Sequence, residues 1–236
     1  MTEQPFAHQP PLWRRLPSTF TGRLLRIAPV RRLVARLFYR AYYEVPGSWR
    51  ETRWLNFTAL QTPQDLWVYQ EIVAETRPDL IVETGTSRGG TTLYLATVCD
   101  ALGYGRVLSI DVQHSDQLPR HPRIEYLTGS STDPWVVDEV RTRLGEHGRL
   151  MAVLDSDHSR DHVLAELRAY GPLISEGCYL VVADTNINGH PAVPHWGPGP
   201  MEALEAFLDE GAPFSPDRSR EKFLVTFSPR GFLRRV

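Results

Sequence analysis

Acidic side chains and a histidine follow two apolar runs in the second half of the chain. Asp155 and His158 come directly after the run Leu150–Leu154, and Asp184 follows the run Cys178–Ala183. A carboxylate with an imidazole three residues further on places a hard oxygen ligand and a proton acceptor around one small volume. Two carboxylates suit Mg²⁺, because this ion takes oxygen ligands and leaves coordination positions for substrate hydroxyls. The pattern therefore predicts a divalent-cation site with a general base beside it.

Zinc is a poorer match to the same residues. Zinc sites use thiolate and imidazole ligands at compact spacing. No cysteine lies near Asp155, and the histidines in this part of the chain lack such spacing: His158, His162, His190 and His195.

The stretch from Pro78 to Thr92 reads as strand, glycine turn and helix. Glu83 follows the apolar run Leu80–Val82, Gly85 breaks the run, and Gly89 leads into a helical pattern. Glycine allows a sharp turn close to a ligand, and the first turn of a helix presents free N–H groups. A dinucleotide fold would need Gly-x-Gly-x-x-Gly, which is absent here. The spacing Glu-x-Gly-x-x-x-Gly resembles the first motif of the class I S-adenosylmethionine methyltransferases; an ordinary strand-to-helix turn is the alternative.

Alternating strand and helix patterns must position these residues. The predicted strands are Leu80–Val82, Arg106–Asp111, Ile124–Leu127, Leu150–Leu154 and Cys178–Ala183. The predicted helices are Thr62–Thr76, Thr91–Leu102, Asp133–Leu144, Asp161–Tyr170 and Met201–Leu208. Such alternation implies right-handed crossovers and a parallel sheet.

Two further strand patterns, Phe223–Phe227 and Phe232–Val236, lie close to the C-terminus. Only Ser228–Gly231 separates them, which allows a hairpin and not a crossover. The predicted fold is therefore α/β: a Rossmann-like class I methyltransferase with a mostly parallel seven-stranded sheet and an antiparallel C-terminal hairpin.

Ligands of an open parallel sheet bind beyond the carboxyl ends of its strands. Asp111 closes the second predicted strand and is placed to accept hydrogen bonds from the ribose hydroxyls of an adenosine. Ser130 and Ser131 follow the third strand and suit the edge of the adenine. The predicted cofactor residues are Glu83, Gly85, Thr86, Ser87, Gly89, Asp111, Ser130, Ser131 and Asp155. Each acid alone could be a helix cap or a solvated loop residue, but their recurrence at one end of successive strands favours a ligand site.

The composition narrows the class of protein. The chain has 236 residues, of which 42% are hydrophobic and 23% charged, so it can bury one good core and carry an extension. A net charge of −2 argues against a general nucleic-acid binder. Cys99 and Cys178 fall inside element patterns, which favours buried free thiols and a reducing cytoplasm. The sequence shows neither a transmembrane run nor, in Met1–Gln9, the apolar part of a signal peptide.

The first 53 residues are strongly basic, with ten arginines against three acids. From Val30 to Ala41 apolar residues recur at helical spacing, while arginines occupy another face. We predict a basic N-terminal helical extension, residues 1–53, followed by a methyltransferase domain, residues 54–236. The helix could pack on protein, lie on an anionic membrane or grip a phosphorylated substrate. We favour packing, including contact in a homo-oligomer.

From about Trp54 onward the chain resembles the cephalosporin hydroxylase family, which includes rhamnosyl and macrolide-sugar O-methyltransferases. The loop Asp-Thr-Asn-x-Asn-Gly-His-Pro is specific to this family. The matching segments are Pro63–Asp65, Tyr69–Glu71, Arg77–Leu80, Glu83–Thr86, Asp184–Pro191, Gly197–Pro200 and Arg220–Phe227.

The resemblance implies roles for individual residues. It implies a magnesium ion held by Asp155 and by a Glu-Asp pair after the fifth strand, with His158 as the base. This chain has Ala183-Asp184 where the family usually has Glu-Asp. The remaining metal ligand would then be Asp157, Asn186 or water; otherwise metal binding is weaker, or the reaction proceeds mainly on the histidine. The predicted metal ligands are Asp155, Asp184 and Asn186.

The first functional hypothesis is an S-adenosylmethionine-dependent O-methyltransferase assisted by Mg²⁺ or another divalent cation. Its acceptor would be a sugar hydroxyl of a nucleotide sugar or a glycosylated natural product, covered by the loop from Asn186 to Pro200. The alternatives are a cephalosporin-type antibiotic tailoring enzyme, a cofactor-binding partner protein without catalysis, and a nicotinamide oxidoreductase, which the glycine spacing disfavours. Peripheral membrane contact through the basic helix is also an open interpretation.

Overall fold

A seven-stranded sheet forms the centre of the structure, a computed structural model that describes residues 27–236. The strands are β1 (Arg53–Trp54), β2 (Phe57–Thr58), β3 (Leu80–Thr84), β4 (Arg106–Asp111), β5 (Ile124–Thr128), β6 (Leu150–Leu154), β7 (Tyr179–Val182), β8 (Phe214–Pro216) and β9 (Phe232–Arg235). The helices are α1 (Ala28–Glu44), α2 (Pro63–Thr76), α3 (Gly90–Leu102), α4 (Pro134–Leu144), α5 (Arg160–Tyr170) and α6 (Pro200–Asp209). Strands β1 and β2 form a separate antiparallel pair.

The strand order in the sheet is β5-β4-β3-β6-β7-β9-β8. The pairs from β5 to β7 are parallel, whereas β9 runs antiparallel to both β7 and β8. The predicted mostly parallel sheet with antiparallel C-terminal strands is therefore confirmed. Its connections place the carboxyl ends of β3, β4, β5, β6 and β7 at one edge.

The prediction for the first strand of the C-terminal hairpin is wrong. Strand β8 is Phe214–Pro216, and Phe223–Phe227 is not a strand. The backbone N–H of Thr226 donates to the Tyr39 hydroxyl and that of Phe227 donates to the Asp65 carboxylate. These partners replace a strand neighbour, so Val225 and Phe227 are buried in a loop while Phe223 remains exposed.

Helices cover both faces of the sheet. On one face α4, α5 and α6 pack over a cluster that includes Leu108, Leu180 and Leu204. On the other face α2 and α3 pack over a second cluster that includes Ile81 and Val181. Because both faces are buried, the central strands are continuously apolar.

Local sequence explains where α2 begins. Thr62 caps the helix by accepting a hydrogen bond from the backbone N–H of Asp65 at 3.1 Å, and Pro63 occupies the first turn. The helix ends at Thr76, and Arg77 adopts a left-handed conformation with φ of +48°. The predicted bounds of this helix are confirmed.

Helix α1 packs on the domain through a face other than the one predicted. Tyr39 is 4% exposed and contacts Thr226, whereas Leu33 and Leu37 are 57% and 59% exposed. The periodic apolar residues thus face outward, because the aromatic residues on the opposite side fit the loop that contains Phe227. Residues 1–26, with Arg14, Arg15, Arg23, Arg26 and the segment Met1–Gln9, lie outside the described residues. Within residues 27–236 no helix has the length and apolar character needed to cross a membrane.

Candidate active site

The glycine turn between β3 and α3 lies against the end of β6. Gly85 has a φ of +86°, and a Cβ at this position would lie 2.1 Å from the backbone oxygen of Asp155. Glycine is required here for both the conformation and the close approach. Gly89 caps α3 with a φ of +74°, so it also adopts a conformation that favours glycine.

Glu83 lies behind this turn. Its side chain is 1% exposed, and Oε2 accepts hydrogen bonds from the hydroxyls of Thr92 and Ser109. Burial raises the pKa of Glu83 to about 7, because the charged carboxylate loses its hydration. Glu83 therefore links α3 to β4 through these two hydrogen bonds. This predicted cofactor residue lines neither of the two cavities described next.

A cavity of about 370 Å³ lies over the ends of β3, β4, β5 and β6. We call it the Asp111 cavity. Asp111 accepts hydrogen bonds from the backbone N–H groups of Ser87 at 3.1 Å and Gln113 at 3.2 Å, which fix its carboxylate. The predicted cofactor residues that line this cavity are Gly85, Ser87, Asp111, Ser130, Ser131 and Asp155. The fold thus brings together residues from four separate segments.

A neighbouring cavity of about 560 Å³, which we call the His158 cavity, shares residues with the first. Gly85, Ser87, Asp155 and Ser156 line both, so the two cavities meet at the ends of β3 and β6. Thr86 lines the His158 cavity, and its hydroxyl oxygen lies 2.7 Å from that of Ser109.

Much of the wall of the His158 cavity is aromatic or apolar. The residues that give it this character are Tyr43, Trp49, Leu60, Ile187, Val193, Trp196 and Phe227. The ring centroids of His158 and Trp196 are 6.2 Å apart. The cavity can therefore hold a ligand with flat apolar surfaces next to the polar groups at its base.

Asp155, His158 and Asp184 form a cluster in which one ligand atom from each lies within 4.8 Å of the others. Burial and the nearby Asp184 carboxylate raise the pKa of Asp155 well above its usual value. Two carboxylates in one site repel each other, and a cation between them removes that cost. Asp184 adopts a left-handed backbone conformation with φ of +51°. The donor set fits a divalent cation with oxygen ligands.

His158 also contacts one of the two carboxylates directly. Its Nε2 lies 3.1 Å from Oδ2 of Asp184, and the side chains are 25% and 21% exposed. A carboxylate beside an imidazole fixes the orientation of the ring. The arrangement suits a histidine that takes a proton.

Gln61 supports Asp155 from the other side, which the sequence did not indicate. Its Nε2 donates to Oδ2 of Asp155 at 2.8 Å, and the side chain is 1% exposed. Gln61 lies in the loop before α2, 94 residues from its partner. A glutamine in a loop carries no signal of such a long-range contact.

Asn186, a predicted metal ligand, is fully buried in the loop after β7 that also carries Asp184. Its Nδ2 donates to the hydroxyl of Tyr43 at 3.1 Å, and its Oδ1 has no hydrogen-bond partner among the described residues. Asn186 does not line the His158 cavity, whereas Tyr43 does. Its role as a ligand stays a prediction.

The aromatic residues of the cavity wall were not among the predicted site residues. Tyr43 and Trp49 come from the basic N-terminal segment, and Trp196 comes from the loop rich in glycine and proline. Little in the sequence marks these three residues as part of a site. Each is a large aromatic residue in or next to a segment that contains no strand. Only the fold shows that they share one wall.

The strand order, the antiparallel end of the sheet and the cavities beyond the strand ends define a Rossmann-like fold of the class I methyltransferase type. The protein-family model for rhamnosyl O-methyltransferase/CmcI matches residues 46–236. The chain therefore belongs to this family, and the resemblance in the sequence motifs is confirmed.

Curated relatives agree with the family assignment, and solved structures agree with the fold. A rhamnosyl O-methyltransferase of Mycobacterium tuberculosis is 39% identical over 240 residues, which cover 94% of this chain and 98% of that protein. The Mycobacterium leprae protein of the same name is 41% identical over 201 residues, 83% of this chain and 88% of that one. An apo structure of CmcI and a CmcI structure with Mg and SAM both give TM-scores of 0.62, at 21% and 20% identity. Each alignment covers 100% of this chain and 88% of the other.

Proposed function

We propose that this chain is an S-adenosylmethionine-dependent O-methyltransferase that methylates a sugar hydroxyl of a nucleotide sugar or a glycosylated natural product. The observation that carries the proposal is the position of the acid–histidine cluster. Asp155 lines both cavities, and His158 and Asp184 line the His158 cavity beside it. One cavity can hold the methyl donor and the other the acceptor, with the reacting atoms meeting between them.

The relatives support a sugar as the acceptor. Proteins named rhamnosyl O-methyltransferase are 39% and 41% identical to this chain over most of its length. The CmcI structure with Mg and SAM supports the two cofactors, because its fold aligns with the whole of this chain.

The Asp111 cavity is the proposed site of S-adenosylmethionine. Asp111 presents its carboxylate to the ribose hydroxyls, and the backbone N–H of Ser87 holds that carboxylate in place. Ser130 and Ser131 border the base. When bound, the cofactor supplies an electrophilic methyl group on a sulfonium. Gly85 lets the turn approach Asp155, which brings the two cavities into contact.

Asp155 and Asp184 are the proposed holders of Mg²⁺ or another divalent cation. Gln61 engages Oδ2 of Asp155 and leaves its other oxygen for a ligand. When bound, the cation supplies a positive charge that lowers the pKa of the acceptor hydroxyl. Because Ala183 replaces the glutamate that the resemblance implies, water, Asp157 or Asn186 would complete the ligand set.

His158 is the proposed general base. Its Nε2 contacts Asp184, so Nδ1 is the atom that we assign to the acceptor proton. Methyl transfer requires in-line approach of the oxygen to the methyl group, and holding both partners in register supplies much of the catalysis. Asp184 contributes by fixing the ring that takes the proton.

The His158 cavity is the proposed acceptor site. Aromatic faces such as those of Trp49 and Trp196 can pack on a sugar ring and on an apolar aglycone. We propose the extension of residues 1–53 and the methyltransferase domain of residues 54–236 as the two parts of the chain. Tyr43 and Trp49 then give the extension a part in acceptor binding.

We further propose a cytoplasmic homo-oligomer that acts in natural-product biosynthesis, with antibiotic pathways included. The buried free thiols of Cys99 and Cys178 suit a reducing compartment. The exposed apolar residues of α1 suit a contact with a second copy; contact with an anionic membrane is the alternative.

Calorimetry and a methyl-transfer assay on the purified chain test the proposed function. We expect binding of S-adenosylhomocysteine but not of NAD, then methylation of p-nitrophenyl rhamnoside that EDTA lowers and added Mg²⁺ restores. Binding without turnover on a panel of rhamnosides, nucleotide sugars and glycosylated natural products would instead support the cofactor-binding partner protein, an alternative that Ala183 favours. Binding of NAD but not of S-adenosylhomocysteine would overturn the proposal.

A further inference from the structure

A buried carboxylate on α5 gathers hydroxyl groups behind the Asp111 cavity. Glu166 is 0% exposed, and its Oε1 accepts hydrogen bonds from Ser131 at 2.6 Å and from Ser156 at 2.7 Å. The second carboxylate oxygen, Oε2, is buried and has no hydrogen-bond partner among the described residues. Ser131 and Ser156 line the cavity, whereas Glu166 does not.

The hydrogen-bond directions in this cluster follow from its chemistry. A carboxylate accepts and does not donate, so both serine protons point toward Glu166 and away from the cavity. His162 Nε2 lies 3.1 Å from the Ser131 oxygen, and with that hydroxyl proton already used, His162 is the donor. The serine oxygens therefore keep lone pairs for a ligand in the cavity.

The two serines lie in the cavity proposed for S-adenosylmethionine. Ser131 follows Ser130 after β5, in the same cavity as Asp111, and the ribose proposed at Asp111 places the base at this end. Adenine carries an exocyclic amine, which is a hydrogen-bond donor, whereas hypoxanthine carries a carbonyl oxygen at the same position. Ser131 and Ser156 present only acceptors to that position, and this distinguishes the two bases.

We propose that Glu166 is a positioning residue that holds Ser131 and Ser156 as hydrogen-bond acceptors for the exocyclic amine of adenine. This inference rests on the proposed S-adenosylmethionine site and extends it to recognition of the base. Glu166 acts through the serines and does not touch the cofactor. The cluster makes the subsite selective, because a purine with a carbonyl at that position meets oxygen lone pairs.

Calorimetry with S-adenosylhomocysteine and S-inosylhomocysteine measures this selectivity. We expect the wild-type chain to bind the adenosyl compound about tenfold or more tightly, the ratio that one lost hydrogen bond in a buried site produces. Ser131→Ala and Ser156→Ala should weaken binding of the adenosyl compound while the affinity for the inosyl compound stays the same or improves. The ratio of affinities is informative because general loosening of the fold weakens both ligands equally.

Variants of Glu166 separate positioning from packing. Glu166→Leu should lose the discrimination, since the serine hydroxyls can then turn into the cavity. Glu166→Gln should retain it, because the amide oxygen can take the place of Oε1. Tyr179→Phe is the matched control: it removes a hydroxyl that donates to Asp217 at 2.6 Å, outside both cavities, and should keep the wild-type ratio.

The outcomes distinguish this inference from the proposed function. Equal affinity of the wild-type chain for the two compounds overturns the inference and leaves the methyltransferase proposal standing. Discrimination that persists in both serine variants also overturns it, whether or not Glu166→Leu folds. Failure of the wild-type chain to bind S-adenosylhomocysteine overturns the proposed function, and this inference with it.

Discussion

The two cavities that meet at Asp155 are built in different ways. The Asp111 cavity is lined by residues at the carboxyl ends of neighbouring strands, and the register of the sheet fixes their positions, as where Thr84 pairs with both Ile110 and Leu154. The His158 cavity takes Trp49 and Trp196 from segments outside the sheet. One side of the site is therefore tied to the fold, and the other can vary while the fold stays the same.

The difference matches what each side is proposed to bind. A methyl donor common to many enzymes needs an unchanging site, and strand ends supply one. An acceptor differs from enzyme to enzyme, and loops and an added helix can change without disturbing the sheet. Between them lies the acid–histidine cluster, which must serve both ligands and is held by β6, the loop after β7 and Gln61.

The largest effect is expected for His158, which belongs to the acid–histidine cluster between the two cavities. His158→Ala removes the proposed base, and general-base catalysis is typically worth about 10²–10⁴ in rate. We expect kcat to fall by a factor in that range while the affinity for S-adenosylhomocysteine stays nearly intact. Steady-state kinetics and calorimetry on the same preparation measure the two effects.

His121→Ala is the control for loss of an imidazole that contacts a carboxylate. His121 Nε2 lies 3.0 Å from Asp100, and His121 lines neither cavity. It should keep the wild-type kcat. Wild-type turnover by His158→Ala, or an equal loss in the control, would remove His158 from the mechanism and leave activation of the hydroxyl to the cation.

A smaller effect is expected on the fixed side of the site. Asp111→Ala removes a charged hydrogen-bond acceptor worth about 1.5–3 kcal/mol, or roughly a factor of ten to a hundred and fifty in affinity for S-adenosylhomocysteine. The KM for the acceptor should stay unchanged, because Asp111 does not line the His158 cavity. Asp138→Ala, an exposed acid on α4, is the control. A folded Asp111→Ala variant with wild-type cofactor affinity would contradict the ribose assignment.

The sequence predicted the site residues that lie at the ends of strands. Asp111 closes a run of buried strand residues, so its place at the carboxyl edge follows from period and length alone. The same reasoning located Asp155 after β6 and Gly85 after β3. Strand ends are local features, and a parallel sheet converts them into neighbours.

The site residues that the sequence did not predict depend on contacts that no local pattern encodes. Gln61 reaches Asp155 across 94 residues, and Tyr43 reaches Asn186 across 143. The failed strand at Phe223–Phe227 has the same origin. Its alternation is typical of a strand, but Tyr39 and Asp65 take its backbone N–H groups. Tertiary partners outside the segment decided its structure.

A substitution in the wall of the His158 cavity should affect binding of the acceptor. Trp196 is 50% exposed and lies beside His158 in the cavity wall. An aromatic contact is worth about 0.5–1.5 kcal/mol, so Trp196→Ala should raise the KM for the acceptor by roughly two- to tenfold. The affinity for S-adenosylhomocysteine should not change.

Trp67→Ala is the control for loss of an exposed tryptophan. Trp67 is 58% exposed on α2 and lines neither cavity. A wild-type acceptor KM in Trp196→Ala would mean that the loop does not contact the acceptor. An increase in both variants would point to a general loss of stability.

The smallest effect on turnover is expected at α1. Like the two cavities, the two faces of this helix differ: one is fixed to the domain and the other is exposed. Tyr39 anchors one face to the domain, while Leu33 and Leu37 on the other remain exposed. Burying a leucine side chain contributes about 1.5–3 kcal/mol, so two such residues on each chain are a substantial part of a protein contact. An oligomer formed through this face would leave the site within each chain intact.

The double variant Leu33→Glu/Leu37→Glu tests the outer face. Light scattering should show a fall in solution mass, because four buried charges would oppose a symmetric contact. Turnover per chain should change by less than about twofold, since surface substitutions are usually within 0.5 kcal/mol. Arg32→Glu, which changes a charge on the same helix without removing an apolar side chain, is the control for charge alone. An unchanged mass together with lost binding to anionic vesicles would assign the face to a membrane surface, because the apolar residues would then serve lipid and not a second copy.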